Sequence, residues 1–202
     1  MTIDIYFSYC IAVFILSAIP GPTVIVIHYA LLYGKWSGRY TIPAVMIGDV
    51  IALFLVYVGI EAILNLPDGY FDFFKVIGGI YLIFLGVKDL RWKGNDDQLE
   101  IPSKQRARNV FTHVVLVTAF NPKSIVFLLA FIPQFINSEE KVISQFLLLG
   151  ITFICFGVVA SIVYDIFANK INSLLQKNSF QKKIHNLTGI ILCGLGIGTI
   201  FW

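Results

Sequence analysis

Apolar residues along this chain gather into six long blocks, and most charged residues fall in the gaps between them. The blocks cover residues 5–32, 40–64, 71–87, 110–135, 142–168 and 184–202. A helix needs about 20 apolar residues to cross the hydrocarbon of a bilayer, so each block is read as a spanning helix. The third is short, and Lys88 and Arg91 are placed to snorkel from its end. The only long connection, 88–109, is polar and charged and reads as a solvated loop. The pattern predicts an all-α integral membrane protein: one membrane domain over residues 1–202, with six transmembrane helices and no attached soluble domain.

The blocks also repeat. The third contains Gly79-Ile-Tyr-Leu82-Ile-Phe-Leu85-Gly86-Val87 and the sixth contains Gly189-Ile-Ile-Leu192-Cys-Gly-Leu195-Gly196-Ile197, 110 residues further on. The first and fourth share an interruption by proline, Ala18-Ile-Pro-Gly-Pro22 against Ala119-Phe-Asn-Pro-Lys123. Two halves of three helices follow: repeat A over 1–90 and repeat B over 110–202, joined by the 88–109 loop. An odd number of crossings brings the second copy in from the opposite face, which makes the repeats inverted. Inverted repeats with paired broken helices are the architecture of secondary transporters, whose sites lie near the midplane. Leu- and Gly-rich helices that look alike by chance are the plain alternative.

Composition agrees with membrane residence. The chain is 57% hydrophobic and 13% charged, with mean hydropathy +0.82, where a soluble domain carries roughly 25% charged residues. The net charge of +3 does not point to nucleic acid, because the basic residues are scattered between apolar blocks. Twelve of the fifteen Lys and Arg lie in the first, third and fifth connections, including Lys35, Arg39, Arg91, Lys104, Lys170 and Lys183. The positive-inside rule makes these connections cytoplasmic and puts both termini outside. Ala18-Ile19-Pro20 resembles a signal-peptide cleavage site, but the first nine residues contain Asp4 and no Lys or Arg, so the first block is read as a retained helix. Cys10, Cys155 and Cys193 lie apart, without metal or disulfide spacing, and read as buried thiols.

Three features break the apolar blocks at one depth. Asp49 lies in the middle of the second block with no Lys or Arg beside it, and an intramembrane carboxylate marks a functional site by default. Pro20-Gly21-Pro22 breaks the first block and Asn121-Pro122-Lys123 the fourth. Counted from the cytoplasmic ends at ~1.5 Å per residue, all three lie about 15–20 Å deep, near the centre of a ~30 Å core. Proline frees backbone carbonyls, and in lipid such a break survives only against protein or a water-filled cavity. The helices resuming at Thr23 and Ser124 would offer free N–H groups to a carboxylate. Lys123 and Asp49 are opposite charges, so they are expected either to form a static pair or to be exchanged for a zwitterionic substrate. Glu61 lies near the outer end of its helix. Asp165 lies near the inner end of the fifth, where Lys170 is the expected partner. His28, His113 and His185 show no metal spacing. Tyr33, Trp36, Trp92 and Trp202 fall at helix ends as an aromatic belt. Gly194-Leu-Gly-Ile-Gly198 offers a small-residue surface for packing within the chain or between copies. No nucleotide, zinc-protease or nucleophile-elbow motif is present, and no enzyme activity or cofactor is expected.

These residues resemble the lysine exporter (LysE/RhtB-type) family of bacterial amino-acid efflux proteins. The resemblance is carried, in order, by Pro20-Gly21-Pro22, Gly48-Asp49, Tyr81-Leu82-x-x-Leu85-Gly86 and Asn121-Pro122-Lys123. Gly34, Gly38 and Gly48 match the family's glycine spacing, and Ala44 stands where a further glycine is common. The resemblance implies proton-driven export of amino acids or close derivatives, an antiporter of the bacterial inner membrane. On this reading substrate contacts Pro20, Gly21, Pro22, Thr23, Asn121, Pro122, Lys123 and Ser124, while Asp49 and Lys123 couple or gate. The expected partners are a small amino-acid substrate, the proton and membrane lipid, and a homodimer stays open beside the monomer. A cation exporter and a non-transporting membrane scaffold are the alternatives.

Overall fold

Lipid offers the backbone no hydrogen-bond partners, so a spanning segment closes its bonds internally as a helix or within a sealed barrel. A computed structural model of the chain describes residues 2–18, 24–34, 37–64, 70–93, 107–137 and 140–201, and among these every regular element is helical. In chain order these are α1 (Ile3–Ala18), α2 (Val24–Tyr33), α3 (Gly38–Leu64), α4 (Tyr70–Leu90), α5 (Ala107–Ala119), α6 (Pro122–Phe131), α7 (Val142–Ile166), α8 (Ala168–Leu175) and α9 (Asn178–Phe201). A 3-10 turn, Ile132–Phe135, extends α6. By length and hydropathy α3, α7 and α9 suffice to cross a membrane. The pair formed by α5 and the segment from α6 to Phe135, bent by 42°, is a fourth if counted as one crossing.

α8 departs from the expectation of a loop between the last two blocks. Its apolar residues Ala168, Ile171 and Leu175 recur at helical spacing and pack into a core shared with α2, so tertiary contact holds a helix that its lysine-rich setting did not suggest. α3 runs between α5 and α7, α1 lies on α7, and α4 pairs with α9.

The α4–α9 pair is built on glycine. A Cβ on Gly79 would stand 2.8 Å from the Gly196 carbonyl, and one on Gly196 would stand 2.6 Å from the Gly79 carbonyl. Gly86 and Gly189 repeat this reciprocity, each with a Cβ position 2.7 Å from the other's carbonyl. Without side chains in the way the two backbones touch, which compensates for the weak drive to associate apolar helices in lipid. Of the glycines in the 194–198 stretch only Gly196 is used here, since nothing described lies within 4 Å of a Cβ on Gly194 or Gly198.

The buried apolar residues form two cores rather than one. The first joins Tyr9 and Val13 of α1, Leu53, Val56 and Ile60 of α3, Phe127 and Phe131 of α6, and Phe146 and Leu149 of α7, with Leu82 and Leu192 from the α4–α9 pair. An aromatic pile fixes it: Phe131 stacks on Phe127 at 4.8 Å and meets Tyr9 at 5.7 Å, and Tyr9 Oη donates to the Leu149 carbonyl at 3.0 Å. The second core joins Val26, Ile27 and Tyr29 of α2, Ala44 and Val45 of α3, Val110 and Val114 of α5, Tyr164 of α7 and Ala168 of α8.

Replacing Gly196 with leucine should lower stability by about 1–3 kcal/mol through overpacking, read as a fall of several degrees in the thermal midpoint of the detergent-solubilised protein. Gly194→Ala, two residues away, should leave that midpoint unchanged.

Candidate functional site: a polar layer between two apolar cores

Each element that contributes to both cores changes from one to the other at the same level. On α3 the change falls between Val45 and Leu53, on α7 between Leu149 and Tyr164, and from α5 to α6 between Val114 and Phe127. From α1 to α2 it falls between Val13 and Ile25. Asp49 lies in that interval on α3, Gly157 and Ser161 lie in it on α7, and Asn121 and Ser124 lie in it on the α5–α6 break. Pro20, Gly21, Pro22 and Thr23 belong to the corresponding interval of the first block and lie outside the described residues.

Asp49 is only 8% exposed, and among the described residues no side chain or backbone group donates to it. It is held by close backbone approach on both flanks. A Cβ on Gly48 would fall 2.5 Å from Thr118 Cβ and 3.1 Å from the Val115 carbonyl, so α3 is pressed onto α5 one turn before Asn121. On the other flank a Cβ on Gly157 would lie 2.9 Å from Asp49 Oδ2. The carboxylate therefore rests against bare α7 backbone, and Ser161 Oγ donates to the Gly157 carbonyl at 2.8 Å in the same turn.

The break between α5 and α6 is bridged by a polar side-chain contact. Pro122 takes the first helical position of α6, where its missing N–H costs nothing. Asn121 precedes it in the capping position, its carbonyl accepts from Ile125 N–H at 3.0 Å, and its amide donates to Ser124 Oγ at 2.6 Å. The Lys123 backbone lies in the first turn of α6, and its side chain lies outside the described atoms. At the end of α1, the Ser17 carbonyl accepts from Tyr164 Oη of α7 at 3.3 Å. This is the kind of protein partner that an interrupted helix requires in lipid.

The histidines divide. Tyr29 Oη lies 2.8 Å from His113 Nδ1 with the rings edge to face, joining α2 to α5. His185 Nδ1 lies 3.5 Å from Asp89 and its ring stacks on Trp92 at 4.6 Å, joining α9 to the end of α4. His28 Nδ1 is buried with no hydrogen-bond partner among the described residues. Asp165 does not turn to Lys170. It accepts from Ser37 Oγ at 3.3 Å and lies against Gly38, because the start of α3 packs beside the end of α7. Among the described residues no group of three His, Cys, Asp or Glu side chains is placed to share a metal ion.

The sequence reading singled out Asp49, Asn121 and Ser124, and the structure sets them at the level where the cores meet. Gly157, Ser161, Thr118 and Tyr164 were not singled out. The spacing Gly150–Gly157–Ser161 on one face of α7 is the signal that pointed to the first two.

The family profile of the LysE type translocators matches residues 14–201. The chain belongs to that family. It is therefore a multi-pass membrane transport protein and not an enzyme. It is 28% identical over 197 residues to a homoserine/homoserine lactone efflux protein of Salmonella typhi, covering 97% of this chain and 96% of that one. It is 29% identical over 198 residues to an uncharacterized membrane protein of Vibrio cholerae, covering 98% and 97% of the two chains. The match to the Bacillus subtilis membrane protein YrhP is 28% over 191 residues, with 90% and 91% covered. No solved structure matches the chain.

Gly157→Ala in this translocator should lower transport by about tenfold, equivalent to ~1.4 kcal/mol in the barrier, with an unchanged amount of protein in the membrane. Gly150→Ala, whose methyl would meet only a flexible end of Leu53 at 3.3 Å, should stay within about twofold of the parent. Solute flux in reconstituted liposomes measures both.

Proposed function

We propose that this chain is a secondary exporter of amino acids or close derivatives, carrying them outward across the bacterial inner membrane in exchange for protons. The observation that carries the reading is the position of Asp49. It is a buried ionisable group set where two apolar cores meet, level with the α5–α6 break, in a member of a translocator family.

On this reading the chain crosses the membrane six times: α1 with α2, α3, α4, α5 with α6, α7, and α9. Repeat A (1–90) and repeat B (110–202) are inverted copies joined by the 88–109 loop. The reciprocity of α4 and α9 supports the inversion. An operation that exchanges Gly79 with Gly189 and Gly86 with Gly196 turns the Gly79–Gly196 contact into the Gly189–Gly86 contact. The basic first, third and fifth connections face the cytoplasm and both termini face outward. The Ser37–Asp165 contact supports this, because it brings the first and fifth connections to one face.

The substrate site is the polar layer. Pro20, Gly21, Pro22 and Thr23 line it from the first broken helix, and Asn121, Pro122, Lys123 and Ser124 from the second. The N-terminal N–H groups of α2 and α6 receive the substrate's carboxylate or carbonyl oxygen. Asp49 receives its ammonium, the group that homoserine and its lactone have in common, the two solutes named for the Salmonella relatives. Between proton release and substrate binding, Lys123 pairs with Asp49. On the outer side a proton takes the substrate's place on the carboxylate. It travels inward with the empty carrier and leaves to the cytoplasm before the next substrate binds, so the proton gradient drives the cycle outward.

An export-deficient host carrying this chain should release homoserine or a related amino acid from dipeptide-loaded cells. Asp49→Asn should cut release by more than about tenfold at equal protein level, and Asp49→Glu should keep part of it. Equal release by wild type and Asp49→Asn removes Asp49 from the mechanism. A substrate panel on which wild type releases no more than the empty host removes the transport reading altogether.

A further inference from the structure

Below Asp49, towards the face shared by the first and fifth connections, the described residues pack closed. Ala44, Val26 and Ile27 are fully buried, Val45 nearly so, and α8 closes over α2 through Ala168. At the rim of this closed half lies a second buried carboxylate. Asp165 is 8% exposed, and its Oδ1 accepts from Ser37 Oγ at 3.3 Å. Its other oxygen lies so close to Gly38 that any side chain there would overlap it. Ser37 and Gly38 are the residues at which the 27-residue helix α3 begins. The carboxylate thus sits on the positive end of α3, where unsatisfied N–H groups favour an anion. Behind it Thr41, wholly buried, donates from Oγ1 to the Ser37 carbonyl at 3.3 Å and continues the contact towards Asp49.

The geometry points to Asp165 as the inner gate of the transporter: its contact with Ser37 and the start of α3 closes the cytoplasmic half, and it must separate before substrate can load. The inference rests on the transport reading above. Ser37, Thr41, Asp49, Ser161 and Asp165 are five of the nine buried polar residues among those described, and all five lie on α3, at its start or on α7. Parting α3 from α7 at the Asp165 end would therefore open a polar seam that leads to Asp49. The contact suits a gate, because a carboxylate seated at a helix terminus can exchange a hydroxyl donor for water.

The test uses the full chain in liposomes, with Cys10, Cys155 and Cys193 replaced, and the pair Ser37→Cys and Asp165→Cys added. Oxidation should cross-link the pair and lower amino-acid flux by at least tenfold, and reductant should restore it, while neither single variant responds. Undiminished flux in the cross-linked protein overturns the gate, as does failure to cross-link in protein that transports. A second measurement needs no flux. Thr41→Cys should be shielded from a membrane-impermeant thiol reagent on the cytoplasmic side, and adding Asp165→Asn should speed its labelling by at least tenfold. Equal labelling rates count against the gate even if the pair proves inactive when reduced. Wild-type protein that moves no solute in the same liposomes defeats the transport reading itself, and the gate falls with it.

Discussion

A carboxylate held away from water is the constraint around which this molecule is arranged. Bringing an ion into low dielectric costs several kcal/mol unless partners replace its hydration, and Asp49 lies on a helix whose neighbours on both sides along its length are apolar. The fold meets the difficulty by never forming a continuous core. Two apolar cores, one around the Tyr9–Phe131 pile and one around Tyr29 and Val45, stop short of each other, and the elements that pass between them carry small or polar residues in the gap. Asn121, Ser124, Ser161 and Gly157 are among the described residues that lie in that gap beside Asp49.

Glycine makes the arrangement compact. Helices in lipid gain little from burying apolar surface against one another, so association relies on close contact. Gly48 and Gly157 bring α5 and α7 onto the two flanks of α3 at the level of the carboxylate. Gly79, Gly86, Gly189 and Gly196 do the same for α4 and α9, with backbone against backbone. The consequences differ. Among the described residues the α4–α9 pair holds no buried charge and contributes only to the first core, so it acts as a brace. The α3 contacts surround an ionisable group and hold the polar layer together.

The interrupted segments belong to the same logic. A helix that stops in lipid leaves carbonyls and N–H groups that must find partners. Tyr164 reaches from α7 to the Ser17 carbonyl, and the Asn121 amide donates to Ser124 Oγ at the start of α6. Both contacts lie near the level of Asp49, so the interruptions bring polar groups to the part of the bundle that holds the buried carboxylate. Amino-acid transport follows from such a layer more directly than metal transport, because a zwitterion uses a carboxylate and helix N-termini together.

The apolar blocks by themselves determined that the chain is helical and where its helices run: the second block, 40–64, became Gly38–Leu64, and the fifth, 142–168, became Val142–Ile166. They also marked Asp49 and the break at Asn121, because a charge or a proline in an apolar run is visible without knowing what surrounds it. What faces what was decided only by the tertiary structure. Nothing in the run 142–168 says that Gly157 meets Asp49, that Tyr164 serves the end of α1, or that Asp165 turns to Ser37 instead of Lys170. α8 likewise appeared only when α2 supplied a surface for Ala168 and Ile171. The physical reason is common to all of these. In lipid every helix is apolar on most of its surface, so hydropathy locates the helices but does not orient them. Their rotation is set by a few close glycine contacts and hydrogen bonds between residues far apart in the chain, and those exist only once the bundle has packed.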